Sequence, residues 1–218
     1  MNVVVIAPHP DDESVGCGGA VCRHVGAGDR VVAVFLTSGE LGLKSLKREE
    51  AWRIREGEAR MAGKILGIEA CVFLRLPDWE GGGDVAGAAE RLGPVLREAA
   101  PELIYLPHVG EWHPDHRAAL PVLRAAMDGG WGQTVTLRLY EVWTPLSHYD
   151  HVEDITSVMS RKLRAVRAHR SQLTEYAYDR AIRGLNAYRG ILAARTRYAE
   201  VFQVMEAPFR QERVSSGK

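Results

Sequence analysis

Val3-Val4-Val5-Ile6-Ala7 is an unbroken apolar run, mostly β-branched, that stops at His9-Pro10-Asp11-Asp12-Glu13. A strand without a polar face is buried on both sides, which points to a parallel sheet covered by helices. The pattern recurs along the chain. Arg30–Thr37 reads as a second buried strand, Ala70–Leu74 as a third, Glu102–Leu106 as a fourth and Thr134–Trp143 as a longer fifth. Helical segments lie between them. Gly18–Gly28 reads as a short helix, and Lys47–Gly67 as a long amphipathic one with Gly67 as its C-cap. Asp84 caps a helix running to about Ala100, and Pro114 opens another to about Met127. Strands alternating with helices specify an α/β fold with a mostly parallel sheet flanked by helices.

The last third reads as mostly helical and rich in arginine. Asp154–Gln172 and Asp179–Arg195 are its helix candidates, and Tyr198–Met205 returns as a strand. Gly81-Gly82-Gly83 reads as a flexible loop and Ser215–Lys218 as a frayed end. With 218 residues, a single domain is expected, with residues 1–130 as its core and 131–218 as an extension.

Composition narrows the function classes. The net charge is +0, so no global field favours nucleic acid or an anionic membrane. The N-terminus lacks a signal-peptide pattern, and no stretch approaches the roughly 20 apolar residues of a membrane span. Cys17, Cys22 and Cys71 show no metal-ligand spacing, which makes a reducing cytoplasm the expected setting.

Two polar clusters carry the chemistry, and both fall beyond the C-terminal ends of strands, where parallel α/β sheets gather their sites. His9–Glu13 follows the first strand. His108-Val109-Gly110-Glu111-Trp112-His113-Pro114-Asp115-His116 follows the fourth. With the helix starting at Pro114, His113 and His116 sit one turn apart and share a face. His9, Asp12 and His116 would offer two nitrogens and an oxygen to Zn²⁺ and leave a position open for water. Asp11 could take a proton from that water. His113, as imidazolium, could steady an oxyanion or protonate a leaving amine.

These motifs in combination resemble the LmbE-like, or PIG-L, family of zinc-dependent N-deacetylases. Weaker echoes are Arg55 and Glu58 before Leu66-Gly67, then Leu76-Pro77-Asp78, His169-Arg170-Ser171-Gln172 and Asn186-Ala187-Tyr188-Arg189-Gly190. The resemblance implies a Rossmann-like fold and a hydrolase acting on N-acetylglucosamine derivatives. It implies one zinc per chain on His9, Asp12 and His116, with iron(II) as an alternative. Asp11 then matches the general base and His113 the general acid or oxyanion group. Asp115 and Glu13 support the site, the first by orienting an imidazole and the second by holding the loop. Arg55, Asp78 and Glu111 are the substrate-binding candidates. Glu111 stands where some members carry a tyrosine. The implied partner is a small N-acetylated sugar, and family members often form trimers or hexamers.

Competing readings remain. An Asp pair after a strand can be a simple turn, and a lone HxxH can be cap chemistry. Gly16, Gly18 and Gly19 suggest a phosphate-binding turn, but they do not fit GxGxxG and the acidic loop would repel a pyrophosphate. A non-catalytic sugar- or nucleotide-binding module and a zinc hydrolase of a non-sugar amide are the alternatives. Arg161, Arg164, Arg167 and Arg170 trace one helical stripe, read as a solvated face or subunit contact. Tyr176, Tyr178 and Tyr188 are equally read as a sugar wall or as packing.

Overall fold

A computed structural model describes residues 1–78, 83–128, 134–174 and 176–207. Gly81, Gly82 and Ser215–Lys218 lie outside the described residues. The first half alternates as the sequence predicts: β1 (Asn2–Ala7), α1 (Asp12–Gly26), β2 (Arg30–Thr37), α2 (Arg48–Leu66), β3 (Ala70–Leu76), α3 (Val85–Ala99), β4 (Leu103–Pro107), α4 (Pro114–Met127) and β5 (Val135–Tyr140). Then follow β6 (His151–Asp154), α5 (Met159–Val166), α6 (Arg170–Leu173), α7 (Tyr178–Arg189) and β7 (Ala199–Ala207).

The seven strands form one sheet in the order β3-β2-β1-β4-β5-β7-β6. β1 to β5 run parallel, β7 is antiparallel to β5, and β6 is antiparallel to β7. The winding reverses between β1 and β4. Such a switch point opens a crevice outside the C-terminal ends of the two strands. The loops bearing both polar clusters leave from those two neighbouring strands, so residues far apart in sequence meet there.

Both faces of the sheet are buried. Val4 and Ile6 pack with Leu92, Leu96, Leu120 and Leu123 of α3 and α4. Val3 and Val5 pack with Val21 of α1, Ala59 and Leu66 of α2 and Ala165 of α5. A β-branched run without polar alternation is what two apolar faces require. Gly67 ends α2 with φ 85°, and Asp84 accepts the Gly87 N–H at 2.8 Å to begin α3. No helix among the described residues is long and apolar enough to cross a membrane.

Three expectations need correction. α1 begins at Asp12, well before Gly18, and is kinked at Cys17 (φ −139°, ψ 17°). The glycines belong to this helix because neighbours press on it: a Cβ at Gly16 would strike the Tyr140 ring, and one at Gly19 would strike Ile155. The helix expected over Asp154–Gln172 is instead β6 followed by α5 and α6. Asp154 accepts the Thr156 N–H at 2.9 Å, a local turn that ends β6. The helix expected to reach Arg195 is α7 only to Arg189, followed by a π turn at Gly190–Ala194. The last third therefore holds two sheet strands as well as helices.

Candidate metal centre and cleft

His9, Asp12 and His116 meet at the switch point. His9 Nδ1 is 3.4 Å from Asp12 Oδ2, His116 Nε2 is 3.3 Å from the same oxygen, and the two imidazole nitrogens are 3.3 Å apart. Donors about 2.0–2.2 Å from a tetrahedral ion stand about 3.3–3.6 Å from one another, so this triangle has the dimensions of one tetrahedral face. All three side chains are buried.

Two other groupings lie close by. His9, His113 and His116 each bring a ring nitrogen within 4.8 Å of the others, as do His9, Asp78 and Asp115 with one ligand atom each. In the first, His113 Nδ1 accepts the Asp115 backbone N–H at 3.2 Å, which leaves Nε2 as the nitrogen that His113 could offer to an ion. In the second, the carboxylates bind the opposite edge of His9, with Asp115 Oδ2 at 3.0 Å and Asp78 Oδ1 at 3.2 Å from Nε2. An imidazole donating from Nε2 keeps a lone pair on Nδ1, the nitrogen in the triangle. In the tight triangle Asp12 Oδ2 accepts the His9 backbone N–H at 2.8 Å, but a carboxylate oxygen keeps a second lone pair, so all three atoms can still coordinate.

Electrostatics favour a cation. Three carboxylates lie within 3.4 Å of the His9 ring. Burial opposes protonation of His9, but Asp115, Asp12 and Asp78 more than offset it and raise its pKa well above the usual value. The Asp12 carboxyl is driven the other way: burial raises its pKa, and His116 and His9 overcome that to lower it strongly. A site that would draw a proton so firmly suits a metal ion in the proton's place.

Asp11 is the N-cap residue of α1, with φ 138° and ψ −28°. Side chains rarely adopt this conformation, and such strain concentrates at functional sites. Its N–H donates to Glu13 Oε2 at 3.0 Å, and its carbonyl accepts from Ser14 and Val15 at 3.0 and 2.9 Å. Arg55 Nη2 donates to the Pro10 carbonyl at 2.6 Å and to Asp11 Oδ2 at 3.4 Å. Burial pushes the Asp11 carboxyl up to about 6 against the pull of Arg55.

His113 is held neutral. Burial, with His9 and His116 adding repulsion, lowers its pKa to about 4. A ring lowered in this way is mostly uncharged near neutrality, where the sequence reading has it act as imidazolium. Because Nδ1 accepts the Asp115 N–H, the ring proton belongs on Nε2.

A cavity of about 750 Å³ opens in front of these groups, lined by His9, Asp11, Arg55, Asp78 and His113. Leu41–Ser45 forms one wall, and Trp143, Gln172 and Tyr178 contribute from later in the chain. Asp78 reaches the cavity, but its two oxygens serve His9 Nε2 and the Leu41 N–H at 3.2 and 2.8 Å. Glu111 does not reach it. Its buried carboxylate accepts the backbone N–H groups of Val142, Trp143 and Thr144 at 2.7, 3.1 and 3.2 Å, so it secures that loop and is not set to touch a substrate. Trp143 and the 41–45 wall escaped the sequence reading because neither carries a motif. Tyr178, one of three tyrosines weighed as a sugar wall, lines the cavity. His169 is buried behind the loop against Glu13 and is absent from the cavity wall.

Comparison with known proteins extends this picture. The profile of the PIG-L family, described as GlcNAc-PI de-N-acetylase, matches residues 4–127. The diacetylchitobiose deacetylase of Thermococcus kodakarensis is 32% identical, over 91% of this chain and 81% of its own. Among solved structures, the N,N′-diacetylchitobiose deacetylase of Pyrococcus horikoshii superposes with a TM-score of 0.80 at 26% identity, over 93% of this chain and 83% of that one. The 4-carboxy-2-hydroxymuconate hydratase GalB of Pseudomonas putida superposes almost as well, with a TM-score of 0.79 at 26% identity over 99% of this chain and 100% of that one. The shared fold therefore accommodates more than one reaction.

Proposed function

The chain belongs to the PIG-L family, and from that premise we propose that it is a metal-dependent hydrolase that removes acetyl from an N-acetylglucosamine-type sugar. The observation that carries this reading is the triangle of His9, Asp12 and His116 with Asp11 beside it at the head of the cavity. Residues 1–218 are read as one domain, because strands from both parts share one sheet.

Zinc is the assigned ion, and iron(II) suits the same donors. When bound, such an ion polarises an amide carbonyl and lowers the pKa of water, as Lewis-acid chemistry requires. Asp11 then removes a proton from the attacking water, and its carboxyl near 6 suits a base working close to neutrality. His113 donates its Nε2–H to the carbonyl oxygen as negative charge gathers there. A neutral donor fits this role and needs no change of charge at the moment of reaction. Asp11 next returns the proton to the sugar nitrogen, the C–N bond breaks, and acetate and the free amine leave. Arg55 holds the Asp11 loop through the Pro10 carbonyl and the Gly39 carbonyl, and as a lining residue of the cavity it can offer a remaining η N–H to a sugar hydroxyl.

The test is a panel of N-acetylated sugars offered to the zinc-loaded protein, with amine and acetate both measured. Equal amounts of the two support the reading. Because GalB shares the fold, an unsaturated hydroxy-acid belongs in the same panel. Water addition to it with no acetate from any sugar would favour hydratase chemistry.

A further inference from the structure

Glu13 and His169 are absent from the chemistry above, yet both are almost fully buried beside it. We infer that His169, acting through Glu13, is a positioning residue that holds Asp11 in its strained backbone conformation. The last third of the chain is then a working part of the site. The inference rests on the deacetylase reading for its kinetic readout but not for its structural one.

The chain of contacts is direct. Glu13 Oε2 accepts the Asp11 N–H at 3.0 Å. Glu13 Oε1 accepts the Ser14 hydroxyl at 2.6 Å and bonds His169 Nε2 at 3.1 Å. A carboxylate buried this completely is stable only when paired and hydrogen-bonded. Removing His169 would leave Glu13 to relieve its charge by turning or taking up a proton, and either weakens its hold on the Asp11 N–H. The other groups on this loop hold different atoms: Arg55 grips the Pro10 carbonyl and Asp11 Oδ2, and Ser14 and Val15 grip the Asp11 carbonyl, whereas Glu13 holds the Asp11 N–H.

Among the described residues, the His169 side chain makes no hydrogen bond other than the one from Nε2. Its Nδ1 is buried without a hydrogen-bond partner, which an apolar side chain would avoid. Keeping an imidazole here makes sense through Nε2 alone. The ring is also firmly placed. His169 is the N-cap residue of α6, and the next residue but one, Ser171, donates its N–H and hydroxyl to Glu58 of α2 at 2.8 and 2.6 Å. Glu58 and His169 thus fasten a short C-terminal helix beneath the loop that carries Asp11. The metal triangle is not bonded to Glu13, so this device acts on the base and leaves the ligands in place.

The experiment uses the full chain with metal bound. His169→Leu removes the donor, His169→Gln restores one near the Nε2 position, and Glu13→Gln perturbs the carboxylate between them. In His169→Leu, kcat should fall by about 100-fold, the scale of a misplaced reacting group, with KM and metal content nearly unchanged. His169→Gln should recover most of that loss, and Glu13→Gln should match the Leu variant. Crystal structures of the wild type and His169→Leu supply the readout that needs no substrate: Asp11 should leave its positive φ in the variant. If His169→Leu fails to fold, Glu13→Gln carries the same structural comparison. Asp11 keeping its positive φ without His169, or a Gln variant no better than Leu, would overturn the inference. A wild type that releases no acetate refutes the deacetylase reading and leaves the structural comparison to decide this one.

Discussion

His9 Nε2 lies 3.0 Å from Asp115 Oδ2, so a residue at the start of α4 sets the orientation of an imidazole that follows β1. The contact turns Nδ1 toward Asp12 and His116. Loss of such a partner commonly costs roughly 10–100-fold in metal affinity. Asp115→Ala should show a loss of that size in competition with a chelator, with the protein still folded. Unaltered affinity would mean that Asp78 alone orients the ring.

Asp11→Asn keeps the shape of the side chain and removes the base. Turnover should fall by roughly 10²–10⁴, the range for general acid–base groups, while metal content stays the same. Metal analysis and single-substrate kinetics on one preparation check both halves.

Metal removal should destabilise the protein. Asp12, Asp78 and Asp115 crowd His9, and once the metal is removed a proton on that ring has to balance them in its place. A ligand that binds only the folded state stabilises it by mass action. Chelation should therefore lower Tm, and added zinc should restore it. Asp12→Asn should respond weakly to both treatments.

The His169–Glu13 pair gives stability a pH dependence. Burial disfavours the charged imidazole, but Glu13 outweighs it, so the His169 pKa stands above the usual 6.5. A raised histidine pKa means that the pair's contribution is complete below 6.5 and is lost as pH rises through the folded value. Urea unfolding at about pH 6 and about pH 9 should show the wild type losing more stability across that interval than His169→Gln. Equal losses would remove His169 from the account.

Glu111→Ala tests where that carboxylate acts. It strips the acceptor from three backbone N–H groups, and hydrogen bonds to charged groups are worth about 1.5–3 kcal/mol each. A stability loss of at least one such bond, about 2 kcal/mol, should appear in denaturant unfolding.

The main lines of this site are written in local sequence. An apolar run ending in His9-Pro10-Asp11-Asp12 marks a buried strand and its loop, and Pro114 places His113 and His116 at a helix start. Their meeting follows because β1 and β4 are neighbours across the switch point. What local sequence hides is long-range packing. Gly16 looks like a loop residue until Tyr140 is seen against it. His151–Asp154 has no strand pattern and becomes β6 by pairing with β7. Glu111 is polar and near the motif, yet the backbone of 142–144 claims it. The lowered pKa of His113 comes first from burial and then from two other histidines, all brought about by the fold.

The most direct measurement follows acetate and free amine together during turnover of an N-acetylglucosamine disaccharide by the zinc-loaded protein. The account predicts equal release of both, abolished by chelation and reduced to a trace by Asp11→Asn. Turnover that persists at full rate in Asp11→Asn, or no acetate from any N-acetylated sugar with zinc bound, would contradict it.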